Sequence, residues 1–270
     1  MRLLTFSFLK NCKYKALCGG LPRRISGILQ TDILPKTTGD PTLVEISPSW
    51  QAGEEEELRA AVLRDMQVLP DFITEREEVA MLNELEPQLR RMRYEFDHWD
   101  NAIHGFRETE RSQWTSESEV VLSRVRGVAF ASGAGAGEPL PHPLPHAHVL
   151  DLAAAGHIKP HIDAVRFCGG VIAGLCLVSS AVMQLVHNEK KHLALNVLLA
   201  RRALYIMKGK ARYDFTHAVL GGAESEWRGA PLPRARRVAV ICRSKPKLQD
   251  MPFVRARPLP TYNTICDIVS

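Results

Sequence analysis

The first 31 residues contain no carboxylate; Asp32 is the earliest acid in a chain of 270 residues. The same stretch carries Arg2, Lys10, Lys13, Lys15, Arg23 and Arg24, so the net charge of +5 belongs to one end. Without those six, 29 basic residues face 30 acidic ones. A near-neutral body weighs against recognition of a polyanion by bulk charge. A basic, acid-free segment with apolar patches (Leu3, Leu4, Phe6, Phe8, Leu9) describes a mitochondrial transit peptide, expected over residues 1–35. A basic arm or a helix lying on anionic lipid is the alternative. Lys10, Asn11 and Lys13 interrupt the apolar stretch too early for a secretory signal.

Also missing is any apolar run near the roughly 20 residues that span a bilayer, so no transmembrane segment is expected. No repeat of fixed period is visible. The six cysteines (12, 18, 168, 176, 242, 266) form no CxxC pair and no zinc-ligand spacing. Cys168, Cys176 and Cys242 sit inside apolar runs and read as reduced core residues, which fits a reducing compartment.

What is present divides at residue 147. Residues 35–53, with Pro35, Pro41, Pro48 and Gly53, read as a linker, and 54–66 as a helix with acids crowded at its N-terminal end. Together, 36–68 form a linker and acidic helix. After a break at Leu69–Asp71, residues 74–96 read as a helix. Thr74 and Glu77 have the capping-box spacing, and Val79, Leu82, Leu85 and Leu89 form an apolar stripe. Pro87 should kink or end that helix near Glu86. Residues 97–110 show no clear period. Ser112 or Ser116 should cap a third helix, and 131–147 is a Gly/Ala/Pro-rich loop whose His142 and His146 read as solvated. Beyond it, short apolar runs follow one another at 148–152, 172–178, 182–187, 193–199, 203–207, 212–220 and 236–243. Many short strands at such spacing indicate a sandwich or barrel, with the preceding helices packed on one face. The expected organisation is a domain over 69–245 and a disordered tail over 246–270.

Pro160-His161-Ile162-Asp163 places an imidazole and a carboxylate on one face of an extended chain, where both can ligate one ion. Taken alone, it is as readily a surface hydrogen-bonded pair. His217, on a later expected strand, would complete a two-histidine, one-carboxylate set that leaves positions open for non-haem iron(II); its bland reading is a core histidine. Arg237 and Arg243 fall on one face of a strand, opposite Val238, Val240 and Cys242. An inward arginine is costly unless paired, and a dicarboxylate supplies the pairing bidentately. Six strand residues span roughly 20 Å, so one arginine would hold the distal carboxylate while the other braces the metal end. Tyr205 could add a hydroxyl, or simply be a half-buried strand tyrosine.

Together, PHID, a distal His217 and two arginines six apart resemble the AlkB-like branch of the iron(II)- and 2-oxoglutarate-dependent dioxygenases. Wider stretches carry the resemblance too: RRMRYEFDHWDNAIHGFRETERSQW, GHIKPHIDAVRFCGGVIAGL and ARYDFTH, within about 70–245. The branch typically ends its core with R-x-N-x-T-x-R; here Ala239 and Ile241 replace the Asn and Thr. The resemblance implies an α+β fold with a double-stranded β-helix (jelly-roll, cupin-like) core. It implies iron(II) on His161, Asp163 and His217, with dioxygen and 2-oxoglutarate as cosubstrates. The implied 2-oxoglutarate contacts are Tyr205, Arg237 and Arg243, with His148 as an addition. It further implies oxidative hydroxylation or demethylation in the mitochondrial matrix, and roles in fatty acid metabolism and regulated necrosis.

The substrate expectation is a mitochondrial protein or RNA. No duplex DNA is expected, because the interval before the metal strand has no aromatic-plus-basic lid. Arg90, Arg91, Arg93 and Tyr94, with Arg107 and Arg111, form local basic–aromatic clusters that would suit RNA or, more simply, a solvated face. Two other classes share the pattern: a non-catalytic metal-binding interaction protein, and a cupin-like isomerase that would not need the arginines.

Overall fold

A computed structural model describes residues 38–96, 102–131 and 140–246. The expected transit peptide, residues 132–139 of the 131–147 loop and the tail beyond 246 lie outside the described residues. Among the described residues no helix is long and apolar enough to cross a membrane.

The segment expected as linker and acidic helix contains more than that. It holds β1 (Val44–Ile46), α1 (Glu56–Asp65) and β2 (Met66–Leu69). Trp50 is buried, its indole N–H donating to the Glu54 carbonyl. Three- and four-residue strands are too short to carry a legible alternation, and their partners come from far along the chain.

α2 (Glu75–Leu89) opens with the expected capping box between Thr74 and Glu77. It does not stop at Glu86: Pro87 lies inside the helix. Leu85 and Leu89, both fully buried, anchor the last turn, and packing outweighs the one backbone bond that proline forgoes. The 97–110 region, without period in the sequence, supplies the nine-residue β3 (Ile103–Arg111). α3 (Ser116–Phe130) is capped by Thr115, which accepts from the Ser118 N–H, rather than by Ser112 or Ser116.

The strands that follow are β4 (Ala147–His161), β5 (Val171–Leu177), β6 (Ala181–His187), β7 (Ala194–Leu199) and β8 (Leu204–Lys208). A single turn of helix, α4 (Gly209–Tyr213), replaces the start of the strand expected at 212, so β9 is Phe215–Val219. A small hairpin, β10 (Glu226–Trp227) and β11 (Ala230–Pro231), precedes β12 (Arg237–Arg243).

The main sheet runs β1-β7-β6-β9-β4-β12-β5-β8-β2, with β3 also on β4. Every pairing is antiparallel, and the curled sheet is a double-stranded β-helix. Alternation sorts the side chains. Ile172, Cys176, Tyr205, Met207, Ala239 and Ile241 face the barrel interior. Ala173, Leu175, Leu204, Ile206, Val238 and Val240 face α2 and α3. β5 is buried along its whole length, which is why it reads as an unbroken apolar run. Gly174 sits opposite Tyr205, and a Cβ there would lie 2.2 Å from the tyrosine ring; glycine makes room for the aromatic. Cys168, Cys176 and Cys242 are free and buried, and burial pushes the Cys168 and Cys242 thiols up to about 11.

A buried ionic cluster ties the helical layer to the sheet. Asp151 on β4 has no exposed surface. It accepts from Arg107 Nε at 2.7 Å, Arg236 Nη2 at 2.7 Å and Tyr94 Oη at 3.1 Å. Arg236 reaches on to Glu86 of α2. Asp151→Ala removes the carboxylate shared by two arginines, one of them buried. It should lower equilibrium stability by about 3 kcal/mol, read as a lower urea midpoint at unchanged slope. An unmoved midpoint would show that the cluster contributes nothing.

Candidate metal centre

His161 is the last residue of β4, and the register sets it directly opposite His217 of β9. The rings lie 4.3 Å apart. His161 Nδ1 sits 2.9 Å from the Lys159 carbonyl, an acceptor, so Nδ1 carries the hydrogen and Nε2 faces the cluster. Asp163 does not share a strand with His161, as the HxD spacing suggests; it lies two residues past the strand end. Its Oδ1 nevertheless stands 3.3 Å from His161 Nε2 and 3.7 Å from His217 Nε2. One ligand atom from each of the three lies within 4.8 Å of the others.

Arg212 explains how a loop residue is held so closely. It is 1% exposed and donates to the carbonyls of Asp163 (2.7 Å), Cys168 (3.1 Å) and Gly169 (3.3 Å). Through Nε and Nη2 the guanidinium binds main-chain oxygens and folds the 163–169 loop back under the centre. Sequence reasoning missed this role; the available signal was an arginine inside the ARYDFTH stretch.

The protonation states suit a metal. Burial pushes the His217 imidazole down to about 3, so it is neutral, as a ligand must be. Burial alone would raise the Asp163 carboxyl. Its contact with His161 and the Arg243 guanidinium outweigh that and hold it well below the usual carboxylate range. Two imidazoles and one carboxylate are the donor set for a divalent ion that changes oxidation state.

Beside these groups is a cavity of about 50 Å³ lined by Tyr205, Arg237 and Arg243 with Ile172, Met183 and Ile241. The two arginines divide their roles. Arg243 Nε donates to Asp163 Oδ2 at 3.0 Å. Among the described residues, Arg237, 2% exposed, meets only Cys176 Sγ at 3.6 Å, and its Nε has no partner. A buried cation with no anion among the described residues suits a carboxylate ligand. Burial raises the Tyr205 phenol to about 12, so it keeps its proton and can donate. These residues fit both iron and a dicarboxylate. Ala239 and Ile241 simply pack in the interior, so the polar pair usual in the arginine strand is replaced by apolar surface.

His148 lines the same cavity as Tyr205, Arg237 and Arg243. Its Nδ1 is 3.0 Å from Arg243 Nη1 and its Nε2 is 2.8 Å from Glu108 Oε2. Both ring nitrogens are therefore committed to protein groups. A wider cleft of about 820 Å³ opens over His161 and Asp163, lined also by Glu108, Glu110, Ile103 and Phe167. The arginines once considered for RNA are mostly spent on carboxylates: Arg107 on Asp151, Arg111 on Glu84 and Arg90 on Glu86. The solvated-face reading is favoured for that reason.

Comparisons with known proteins agree. A mouse protein named alpha-ketoglutarate-dependent dioxygenase alkB homolog 7, mitochondrial, is 48% identical over 199 residues, covering 74% of this chain and 87% of that one. The bovine protein of the same name is 50% identical over 192 residues, covering 70% and 84%. No family model matches the chain. Among solved structures, a Trichoplax adhaerens prolyl hydroxylase in complex with a hypoxia-inducible-factor peptide superposes with a TM-score of 0.51. It is 14% identical and covers 74% of this chain and 94% of that one, a likeness of fold.

Proposed function

Because the chain belongs to the AlkB homologues among the 2-oxoglutarate-dependent dioxygenases, we propose that His161, Asp163 and His217 hold its iron and that Tyr205 and Arg237 hold its 2-oxoglutarate. The family is enzymatic and uses iron(II), 2-oxoglutarate and dioxygen. When bound, these supply oxidation of a substrate C–H bond, coupled to conversion of 2-oxoglutarate to succinate and carbon dioxide.

The observation that carries the reading is the unpaired Arg237 guanidinium in the cavity beside the three ligand side chains. His161 and His217 each turn Nε2 toward Asp163, and Asp163 offers Oδ1. Arg237 would grip the distal carboxylate, and Tyr205 would donate a hydrogen bond to the same group. Ile172, Met183 and Ile241 keep water from the cavity walls. Arg243 holds Asp163 and His148 braces Arg243; both also line the cavity, at its metal end.

The reaction is hydroxylation or demethylation of a mitochondrial protein or RNA, reached through the open cleft. Iron-dependent succinate release from 2-oxoglutarate, screened with methylated peptides and RNA, tests the reaction; no release under any of these conditions would reject it. The mitochondrial names of the relatives and the acid-free residues 1–31 support the matrix as the compartment. Residues 1–35 fused to a fluorescent protein should carry it into mitochondria, and a diffuse cytosolic signal would reject the assignment.

A further inference from the structure

Three neighbouring strands carry one line of hydrogen bonds from the cleft to the candidate iron carboxylate. β3 and β12 flank β4. Glu108 on β3 meets His148 on β4 at 2.8 Å. His148 meets Arg243 on β12 at 3.0 Å, and Arg243 meets Asp163 at 3.0 Å. The chemistry of each group sets the direction of every bond. A guanidinium has donors only, so His148 Nδ1 accepts from Arg243. The hydrogen of the neutral ring is then on Nε2, which donates to Glu108 Oε2. Only one tautomer satisfies both contacts.

The far end of this line distinguishes the two oxygens of Asp163. Oδ2 is taken by Arg243, while Oδ1 faces His161 and His217. A carboxylate with one oxygen tied to an arginine ligates through the other alone. Three donors on a six-coordinate ion leave about three positions open, two for a chelating 2-oxo acid and one for dioxygen. A carboxylate free to turn and ligate through both oxygens would leave about two, all filled by the 2-oxo acid.

We propose that Glu108 and His148 are positioning residues that hold Arg243 on Asp163 and so keep the iron carboxylate monodentate. The assignment rests on the iron site proposed above. Neither residue touches the ion; both act through Arg243. Glu108, at the cleft wall, is the outer anchor of the line.

The test uses the full chain loaded with manganese(II), whose bound waters are counted from the broadening of its electron paramagnetic resonance lines in oxygen-17 water. Wild type and Glu108→Gln should each bind about three waters, because the amide oxygen still accepts from His148 Nε2–H. Glu108→Leu and His148→Leu should bind about two, with manganese affinity within roughly threefold of wild type. Two variants guard against a folding defect in either, and each is checked by its melting curve. If both leucine variants keep the wild-type water count, or both lose manganese altogether, the positioning role is wrong. A wild-type protein that takes up no manganese would instead overturn the iron site itself.

Discussion

His161→Ala should bring iron-dependent succinate release down to background, a loss of about a thousandfold, or about 4 kcal/mol of barrier. His161 supplies the ligand nearest Asp163 Oδ1, at 3.3 Å. With it gone, Asp163 and His217 alone cannot hold an ion that must keep its remaining positions for two cosubstrates. The variant separates this cause from misfolding. The His161 side chain is about a quarter exposed at the mouth of the cleft, so its removal leaves no large buried void. The metal-free melting temperature should stay close to that of wild type. Manganese(II), which stabilises the folded form of wild type by mass action, should no longer raise it. Normal turnover in the variant would remove the three-residue centre from the chemistry.

Arg237→Met should move affinity and stability in opposite directions. The KM for 2-oxoglutarate should rise about a hundredfold, near 3 kcal/mol, because a distal carboxylate loses a charge-assisted, bidentate partner. The unliganded protein should become more stable by about 2 kcal/mol. In the free protein that guanidinium is buried with one weak contact to sulfur and an unpaired Nε, and methionine fills similar space without a charge. The two readouts are a cosubstrate titration and a urea denaturation of the same samples. A variant that loses stability and keeps its KM would make Arg237 a structural residue. Asp151→Ala provides the contrast: Arg236, one residue earlier, is fully paired, so breaking its cluster destabilises.

The candidate site was more legible than the fold around it. HxD, His217 and the arginine pair are residue types with few other uses at that spacing, and the structure brings all of them to one cavity. β5 through β8 were legible because their interior faces are apolar over five to seven residues. β3 was not. Its Arg107, Glu108 and Glu110 belong to ion pairs and to the cleft, and a polar strand has no hydrophobic period to read. β1 and β2 escaped notice because three or four residues are too few to show an alternation, and their partners β7 and β8 lie far along the chain. Thr115 took the cap from Ser112 and Ser116 because a cap is chosen by backbone geometry at one residue, and all three side chains are competent.

From its residues alone this chain offers the groups for its candidate site: two imidazoles, a carboxylate and two inward arginines, set among strands with an apolar core. It also settles the charge asymmetry between its first 31 residues and the rest. Tertiary structure decides how the charges are shared. Arg243 meets Asp163 and His148, Arg212 holds the loop, and among the described residues Arg237 Nε meets no partner. These partners lie some 49 to 95 residues apart in the chain. Local propensity acts over a few residues, whereas strand register and burial choose which distant charges meet, and an unpaired charge in the interior costs more than any local preference returns.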